Sequence, residues 1–296
     1  MGVRLPVVRG TQPDPADHSV LAVNAALLTD WLVAFLRDEV TVRRPFRTVV
    51  VGVSGGVDSA VTAHLCARAL DPANVLGVRM PYRTSSPDSL EHAQLVIEGL
   101  GIRSVTVDIS DAVDGLLRSE PDASPLRRGN VMARMRMIVL FDQAAKHHAI
   151  PVGTGNKTER MLGYYTWHGD DAPPVNPLGD LLKTQVRALA RHLGVPEAVV
   201  AKPPSADLVR GQTDEADIGV AYENADMILH YLLQGYSAAR LVEWGFCPAD
   251  VHVVERRVNQ THWKRHLPAT AMISSTAIGE SYLRPTDYAP PAALPG

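Results

Sequence analysis

Two hydrophobic rhythms alternate along the first half of the chain. Val20, Val23, Leu27, Leu28, Trp31, Leu32 and Phe35 recur at helical spacing, which predicts a helix over residues 20–39. Thr48-Val49-Val50-Val51-Gly52-Val53 replaces that rhythm with a short, nearly all-apolar, β-branched run. A strand covered on both faces in a parallel sheet reads this way, since neither face meets water. A glycine-rich turn follows, then a helix over 57–70. The pattern goes on with a strand over 74–80, a helix over 89–100 stopped by Gly101, a strand over 104–109, a helix over 130–147 and a strand over 150–154. Elements alternating at these lengths predict an α/β fold, a doubly wound parallel sheet with helices on both faces. Ligands of such sheets sit beyond the carboxyl ends of the strands, where the glycine-containing stretches 52–59 and 153–160 begin.

After Tyr164 the texture changes. Residues 165–181 are polar, contain Pro173, Pro174 and Pro177, and read as an active-site loop. Helices are expected over 183–193, 217–234 and 237–262, with an irregular stretch at 201–216. A loose arm rich in Pro, Gly and Asp (1–17) precedes a single domain (18–284), and a Pro/Ala-rich tail (285–296) is expected to be disordered.

Composition narrows the partners. A formal net charge of −3 provides no basic field for nucleic acid, so the expected partners are small molecules. Cys66 and Cys247 lie far apart and outside any C-x-x-C spacing, and read as small core residues. The N-terminus lacks the apolar core of a signal peptide, and Pro6 spoils a myristoylation match at Gly2. No apolar run is expected to span a membrane, so the expected location is the cytoplasm.

The stretch Ser54-Gly55-Gly56-Val57-Asp58-Ser59 carries the chemistry. Strand, then this loop, then helix, brings backbone N–H groups together at a helix N-terminus, where an anion is favoured. The glycines allow phosphate oxygens close to the main chain, and Ser54 and Ser59 add hydroxyl donors. Asp58 beside phosphate calls for a cation between them, which predicts Mg²⁺. No Gly-Lys-Ser/Thr follows, so this is not a Walker A loop.

This stretch resembles the signature of the PP-loop ATPases, which split ATP between the α and β phosphates and adenylate an acceptor. Further motifs follow in order: Gly153-Thr154-Gly155-Asn156-Lys157-Thr158-Glu159, Tyr165-Thr166-Trp167-His168-Gly169-Asp170, Asn176-Pro177-Leu178, Leu182-Lys183-Thr184-Gln185-Val186, Lys202-Pro203-Pro204-Ser205-Ala206-Asp207-Leu208 and Gly211-Gln212-Thr213-Asp214-Glu215. With the helix segment from Asn130 to Met137 and the segment from Trp263 to Pro268, they resemble the ammonia-dependent NAD synthetases over about residues 20–270. The resemblance implies a two-step amide ligase. ATP adenylates the nicotinate carboxylate of deamido-NAD with release of pyrophosphate, and ammonia then gives NAD and AMP.

It also implies residue roles. Ser54, Gly55, Gly56, Asp58, Ser59, Lys183 and Ser205 would hold the ATP phosphates, Thr154 the adenosine and Arg79 the adenine side. Asp58 and Glu159 would hold Mg²⁺, and Asp170 would stand near ammonia and the acyl adenylate. Asp58, Asp170 and Lys183 would form the catalytic set, and Asn130, Arg134, Tyr165, Trp167, Asp170 and Lys264 would bind the acceptor. A homodimer is implied, with the N-terminal helix and the 130–147 helix as candidates to bury its interface. The arm is too short for a glutaminase, so ammonia is expected to be free or delivered by a separate protein.

Three departures from the family pattern matter, and a fourth accompanies them. Met132, Trp167 and Trp263 stand where it carries Lys, Lys and His, and Asp171 replaces a Gly after the loop aspartate. These changes fall on the segments implied for the acceptor and its closing loops. They leave open a paralogue that amidates another carboxylic acid by the same chemistry. A non-catalytic nucleotide-binding protein is the remaining alternative, opposed by the intact Asp58, Glu159, Lys183 and Ser205.

Overall fold

The computed structural model describes residues 13–204, 213–266, 271 and 273. Among them, β1 (Thr48–Gly52), β2 (Val75–Arg79), β3 (Arg103–Thr106) and β4 (Ala149–Val152) form one sheet in the order β3-β2-β1-β4, every pairing parallel. Val49, Val50 and Val51 at its centre are fully buried, as the all-apolar run requires. Beyond Thr106 the edge continues irregularly: the N–H groups of Val107 and Ile109 donate to Arg79 and Pro81, which accounts for the longer strand expected there.

The helices are α1 (Ala25–Arg37), α2 (Val57–Leu70), α3 (Pro87–Leu100), α4 (Ser110–Leu117), α5 (Pro125–Lys146), α6 (Lys157–Leu162), α7 (Lys183–Leu193), α8 (Glu197–Val200), α9 (Asp214–Ile218), α10 (Tyr222–Leu233), α11 (Ala238–Glu243) and α12 (Pro248–Gln260). Val49 and Val51 point into the largest core with α1, α2, α3, α7 and α8, while Val50 points to the opposite face, against Leu140 and Ala144 of α5. The sheet is therefore covered on both faces, as expected. A further core gathers α6, α10, α11 and α12 around Leu162, Tyr222 and Ile228. Chain order reverses across β1, with β2 on one side and β4 on the other, so the crevice for a ligand opens beyond the carboxyl ends of β1 and β4.

Several boundaries differ from expectation for local reasons. α1 begins at Ala25 because the Asn24 side chain accepts from Leu27 N at 3.1 Å, leaving Val20 in a separate 3-10 turn. Leu27 and Trp31 are 66% and 65% exposed, so the inward face is carried by Leu32 and Leu36 instead. α5 starts at Pro125, where Ser124 caps Arg127 N. α4 was not expected. Gly219 (φ +89°) divides the expected 217–234 helix, and Gly245 (φ +96°) with Pro248 divides 237–262.

The segment His18–Val42 is long and apolar enough to cross a membrane by length and composition, against the sequence expectation. The chain leaves helix at residues 22–24, however, and Leu32, Leu36 and Val40 pack into the largest core. Residues 1–12 of the expected arm and the tail 285–296 lie outside the described residues.

Candidate active site

The turn after β1 is shaped by a contact that only glycine permits. Gly55 has φ +81°, and a Cβ there would lie 2.1 Å from the carbonyl oxygen of Ser89. Gly56 caps α2 without a side-chain acceptor, so the first turn of the helix presents its amides without a side-chain cap. Ser59 Oγ donates to Gly56 O at 2.9 Å and accepts from Ser54 N at 3.2 Å, and the two serine hydroxyls lie 3.2 Å apart. Hydroxyls and amides thus share one small concavity at a positive helix end, an arrangement suited to phosphate.

The strand pairing brings the turn after β4 alongside. Asn156 is fully buried and caps α6 in a reciprocal box with Glu159. Its Nδ2 also donates to Asp58 Oδ1 at 2.9 Å, joining the two turns. Lys183, the first residue of α7, extends its ammonium between them, 2.5 Å from Asp58 Oδ2 and 3.2 Å from Glu159 Oε1. The lysine side chain is 3% exposed. Burial alone would depress its pKa, but Asp58 and Glu159 hold it above the ordinary lysine value. Glu159 is pushed up to about 8, first by burial and then by Asp58 and Asp214, against the pull of Lys183. One ammonium does not satisfy the carboxylates gathered here.

Behind this group lies a polar wall. Lys183 Nζ sits 5.1 Å from the centre of the Tyr222 ring, and Tyr222 Oη donates to Asp214 Oδ2 at 3.2 Å. Tyr164 Oη lies 3.1 Å from Asp214 Oδ1 and 2.8 Å from Asp217 Oδ2. Burial raises the pKa of Asp214 as well.

These residues open on a cleft of about 1130 Å³. Ser54, Gly56, Asp58, Ser59, Arg79, Thr154, Glu159 and Lys183 line it, as do Asn130, Tyr165, Asp170 and Lys264. Arg79 bonds Gln94 through Nη1, and its buried Nε has no hydrogen-bond partner among the described residues. Gly55, Arg134 and Trp167 are not among the lining residues: Gly55 shapes the turn, and Arg134 donates to the carbonyl of Trp167 at 3.1 Å. Ser205 lies outside the described residues.

The loop 163–171 is fastened from several directions. Thr166 Oγ1 donates to Asn130 Oδ1 at 2.9 Å, and Thr166 N donates to Asp170 Oδ1 at 2.8 Å. Lys264 Nζ donates to the carbonyls of Gly163 and Tyr165, both at 2.8 Å, and lies over the Tyr165 ring. Asp170 is exposed to the cleft, and desolvation by the protein around the cleft pushes its carboxyl up to about 6. Tyr165 Oη is buried without a hydrogen-bond partner among the described residues.

Comparison with known proteins decides the family. The NAD synthase family model matches residues 28–268. The chain belongs to the NAD synthase family. It is 46% identical over 269 residues to the NH(3)-dependent NAD(+) synthetase of Chlorobaculum parvum, covering 90% of this chain and 97% of the relative. The corresponding Fusobacterium nucleatum protein is 44% identical over 254 residues, covering 86% and 98%. Among solved structures, an NMN synthetase from Francisella tularensis superposes with a TM-score of 0.74 at 32% identity, covering 84% of this chain and 99% of that one. The NH3-dependent NAD synthetase from Campylobacter jejuni, in complex with nitrate, gives 0.72 at 28% identity, covering 85% and 100%.

Seen as an NAD synthase, the protein explains its three departures unequally. Met132 is fully buried among Tyr82, Ile109, Val113 and Leu117, in the seam between α4 and α5. In this structure it is a packing residue of that seam. Trp167 and Trp263 meet edge-to-face with ring centres 5.4 Å apart, so these two changes form one aromatic pair beside the loop. Asn156, Asp214, Tyr164 and Tyr222 join the site although the sequence reading gives them no role. Their signal was the Gly-Thr-Gly-Asn and Gly-Gln-Thr-Asp segments, where a short polar residue precedes or opens a helix.

Proposed function

We propose that the protein is an ammonia-dependent ligase that converts deamido-NAD to NAD at the expense of ATP. The observation that carries this reading is the meeting of Lys183 with Asp58 and Glu159 at the crevice between β1 and β4, beside the Ser54–Ser59 turn. In the proposed first step an oxygen of the nicotinate carboxylate attacks the α-phosphorus of ATP, and pyrophosphate leaves. The amides opening α2 and the hydroxyls of Ser54 and Ser59 hold the departing phosphates, and Lys183 neutralises charge that grows on them. In the second step ammonia attacks the acyl carbon, AMP leaves, and Asp170 takes a proton from the attacking nitrogen.

Mg²⁺ belongs to the same reading. Among the described residues no group of three or more His, Cys, Asp or Glu side chains could hold a metal alone. The donor set nevertheless fits an ion that completes its shell with phosphate oxygens, for which one or two carboxylates suffice. Asp58 and Glu159, which meet across the Lys183 ammonium, would hold it. When bound it would supply Lewis-acid stabilisation of charge on the phosphates. The reading assigns the enzyme to the cytoplasm and makes it a homodimer, in which exposed Leu27 and Trp31 of α1 and Ile138 and Phe141 of α5 would contribute to the interface.

The test is direct. Purified protein incubated with ATP, Mg²⁺, ammonium and deamido-NAD should release AMP and NAD in equal amounts. AMP release with a mononucleotide acid but not with deamido-NAD would move the protein to another acceptor. No pyrophosphate with either acid would overturn the ligase. Sedimentation as a monomer at all concentrations would overturn the dimer.

A further inference from the structure

We infer that Asp226 of α10, acting through Thr158, is the positioning residue that holds Lys183 and Glu159 in register opposite Asp58. The inference rests on the phosphate-side role proposed for Lys183 and Glu159. α7 begins without a cap of its own kind: its N-cap is Leu182, whose side chain accepts no hydrogen bond. The first amides must find acceptors elsewhere. Gln185 Oε1 takes Leu182 N at 2.9 Å, Thr158 Oγ1 takes Lys183 N at 2.9 Å, and Asp226 Oδ2 takes Thr184 N at 2.8 Å.

Asp226 does more than cap. Its Oδ2 also accepts from Thr184 Oγ1 at 2.8 Å, and its Oδ1 accepts from Thr158 Oγ1 at 2.5 Å. The Thr158 hydroxyl is thereby oriented: it donates to Asp226, so its lone pairs face Lys183 N. Asp226 and Thr158 are both fully buried. A buried carboxylate without an ion-pair partner is costly, and Glu223 on the same helix only adds like charge. What offsets that cost is the set of donors, the Thr158 and Thr184 hydroxyls and the Thr184 amide at the positive end of α7.

The geometry of the clamp matches the geometry of the site. Thr158 precedes Glu159 in α6, and Thr184 follows Lys183 in α7, so the clamp grips the immediate neighbour of each active residue. Tying those neighbours to one carboxylate fixes the separation of the two helix starts. A shift of about 1 Å in such groups costs on the order of 10²-fold in rate.

The experiment compares Thr158→Val, which removes the hydroxyl at constant shape, with Thr158→Ser, which keeps it, and with Asp226→Asn. Each variant is assayed for binding of ATP with Mg²⁺ by calorimetry without acceptor, for kcat, for KM of deamido-NAD, and for folded fraction by circular dichroism at the assay temperature. Thr158→Val and Asp226→Asn should be folded, with kcat lower by about 10²-fold and KM for deamido-NAD within about twofold of wild type. Their affinity for ATP with Mg²⁺ should fall about tenfold, and Thr158→Ser should recover most of both losses. Wild-type kcat and ATP affinity in Thr158→Val would overturn the inference. So would a Thr158→Ser no better than Thr158→Val, or losses that only track the unfolded fraction. If Asp226→Asn does not fold, the two Thr158 variants decide. If wild type binds ATP with Mg²⁺ but makes no NAD, the proposed acceptor fails while the binding measurements still judge the clamp.

Discussion

The two sides of the cleft are built differently. On the phosphate side, Asp58, Asn156, Glu159 and Lys183 bond directly to one another from three separate segments, with Tyr222 and Asp214 behind them. On the acceptor side, Thr166, Asp170 and Trp167 belong to one loop, held by Asn130, Arg134 and Lys264 largely through backbone carbonyls. Side chains that contact each other's charged groups constrain residue type at every member. A loop gripped by its carbonyls constrains only its path. The pattern departures fit this contrast: Trp167 lies in the loop with Trp263 against it, and none falls among the four bonded residues.

The contrast breaks most visibly at Lys183. Lys183→Met should lower kcat by ~10²–10³-fold, since a preorganised cationic donor is removed from a water-poor site. The fold should survive, because Glu159, already pushed up to about 8, can take a proton and relieve the carboxylate pair. Steady-state AMP release with circular dichroism checks both halves. A variant within a few-fold of wild type would mean that the phosphate side is no more demanding than the loop. A smaller break lies at Gly55. Gly55→Ala must move the turn away from Ser89 and adopt positive φ, so we expect a loss of more than ~1 kcal/mol in stability and weaker ATP binding. Denaturant melts and calorimetry measure the two.

How much of this was legible in sequence follows the same division. The Ser54–Ser59 turn and the start of α7 at Lys183 are local, and their boundaries matched the structure. That Lys183 reaches Asp58 is not local: 125 positions separate them, and only the pairing of β1 with β4 and the packing of α7 on α2 bring them together. The packing of Met132 is non-local as well. Its neighbours Val113 and Leu117 lie on α4, an eight-residue helix too short to show a clear apolar period. The long helices expected after residue 217 failed through an under-weighted local signal, the positive-φ glycines 219 and 245.

Asp170 sharpens the comparison through pH. Asp170 is exposed to the cleft, and desolvation by the protein around that cleft pushes its carboxyl from an ordinary 3.8 up to about 6. A proton acceptor must be ionised. At matched concentrations of free ammonia, kcat/KM for ammonia should therefore fall as pH drops through about 6, and Asp170→Asn should have low activity without that step. Stability runs the other way. Between the unfolded value and about 6 the folded state binds the extra proton, so ionisation of Asp170 removes stability as pH rises. Relative to wild type, Asp170→Asn should gain stability across that interval, which paired thermal melts would detect. Identical pH dependence in wild type and variant would remove Asp170 from the proton path.

The smallest effect belongs to the aromatic pair. Trp263 is 50% exposed and touches Trp167 edge-to-face, a contact worth ~0.5–1.5 kcal/mol beyond area burial. Trp263→Ala should therefore raise KM for the acceptor by less than about tenfold, with kcat and ATP binding close to wild type. The reason is positional. Lys264 and Arg265, the next residues, still hold the loop and α6 through the carbonyls of Gly163, Tyr165 and Met161. A loss in kcat comparable to that of Lys183→Met would show that the pair controls the reacting groups themselves. In that case the two sides of the cleft would not differ in kind, and the Trp167–Trp263 contact would have to be treated as part of the catalytic framework.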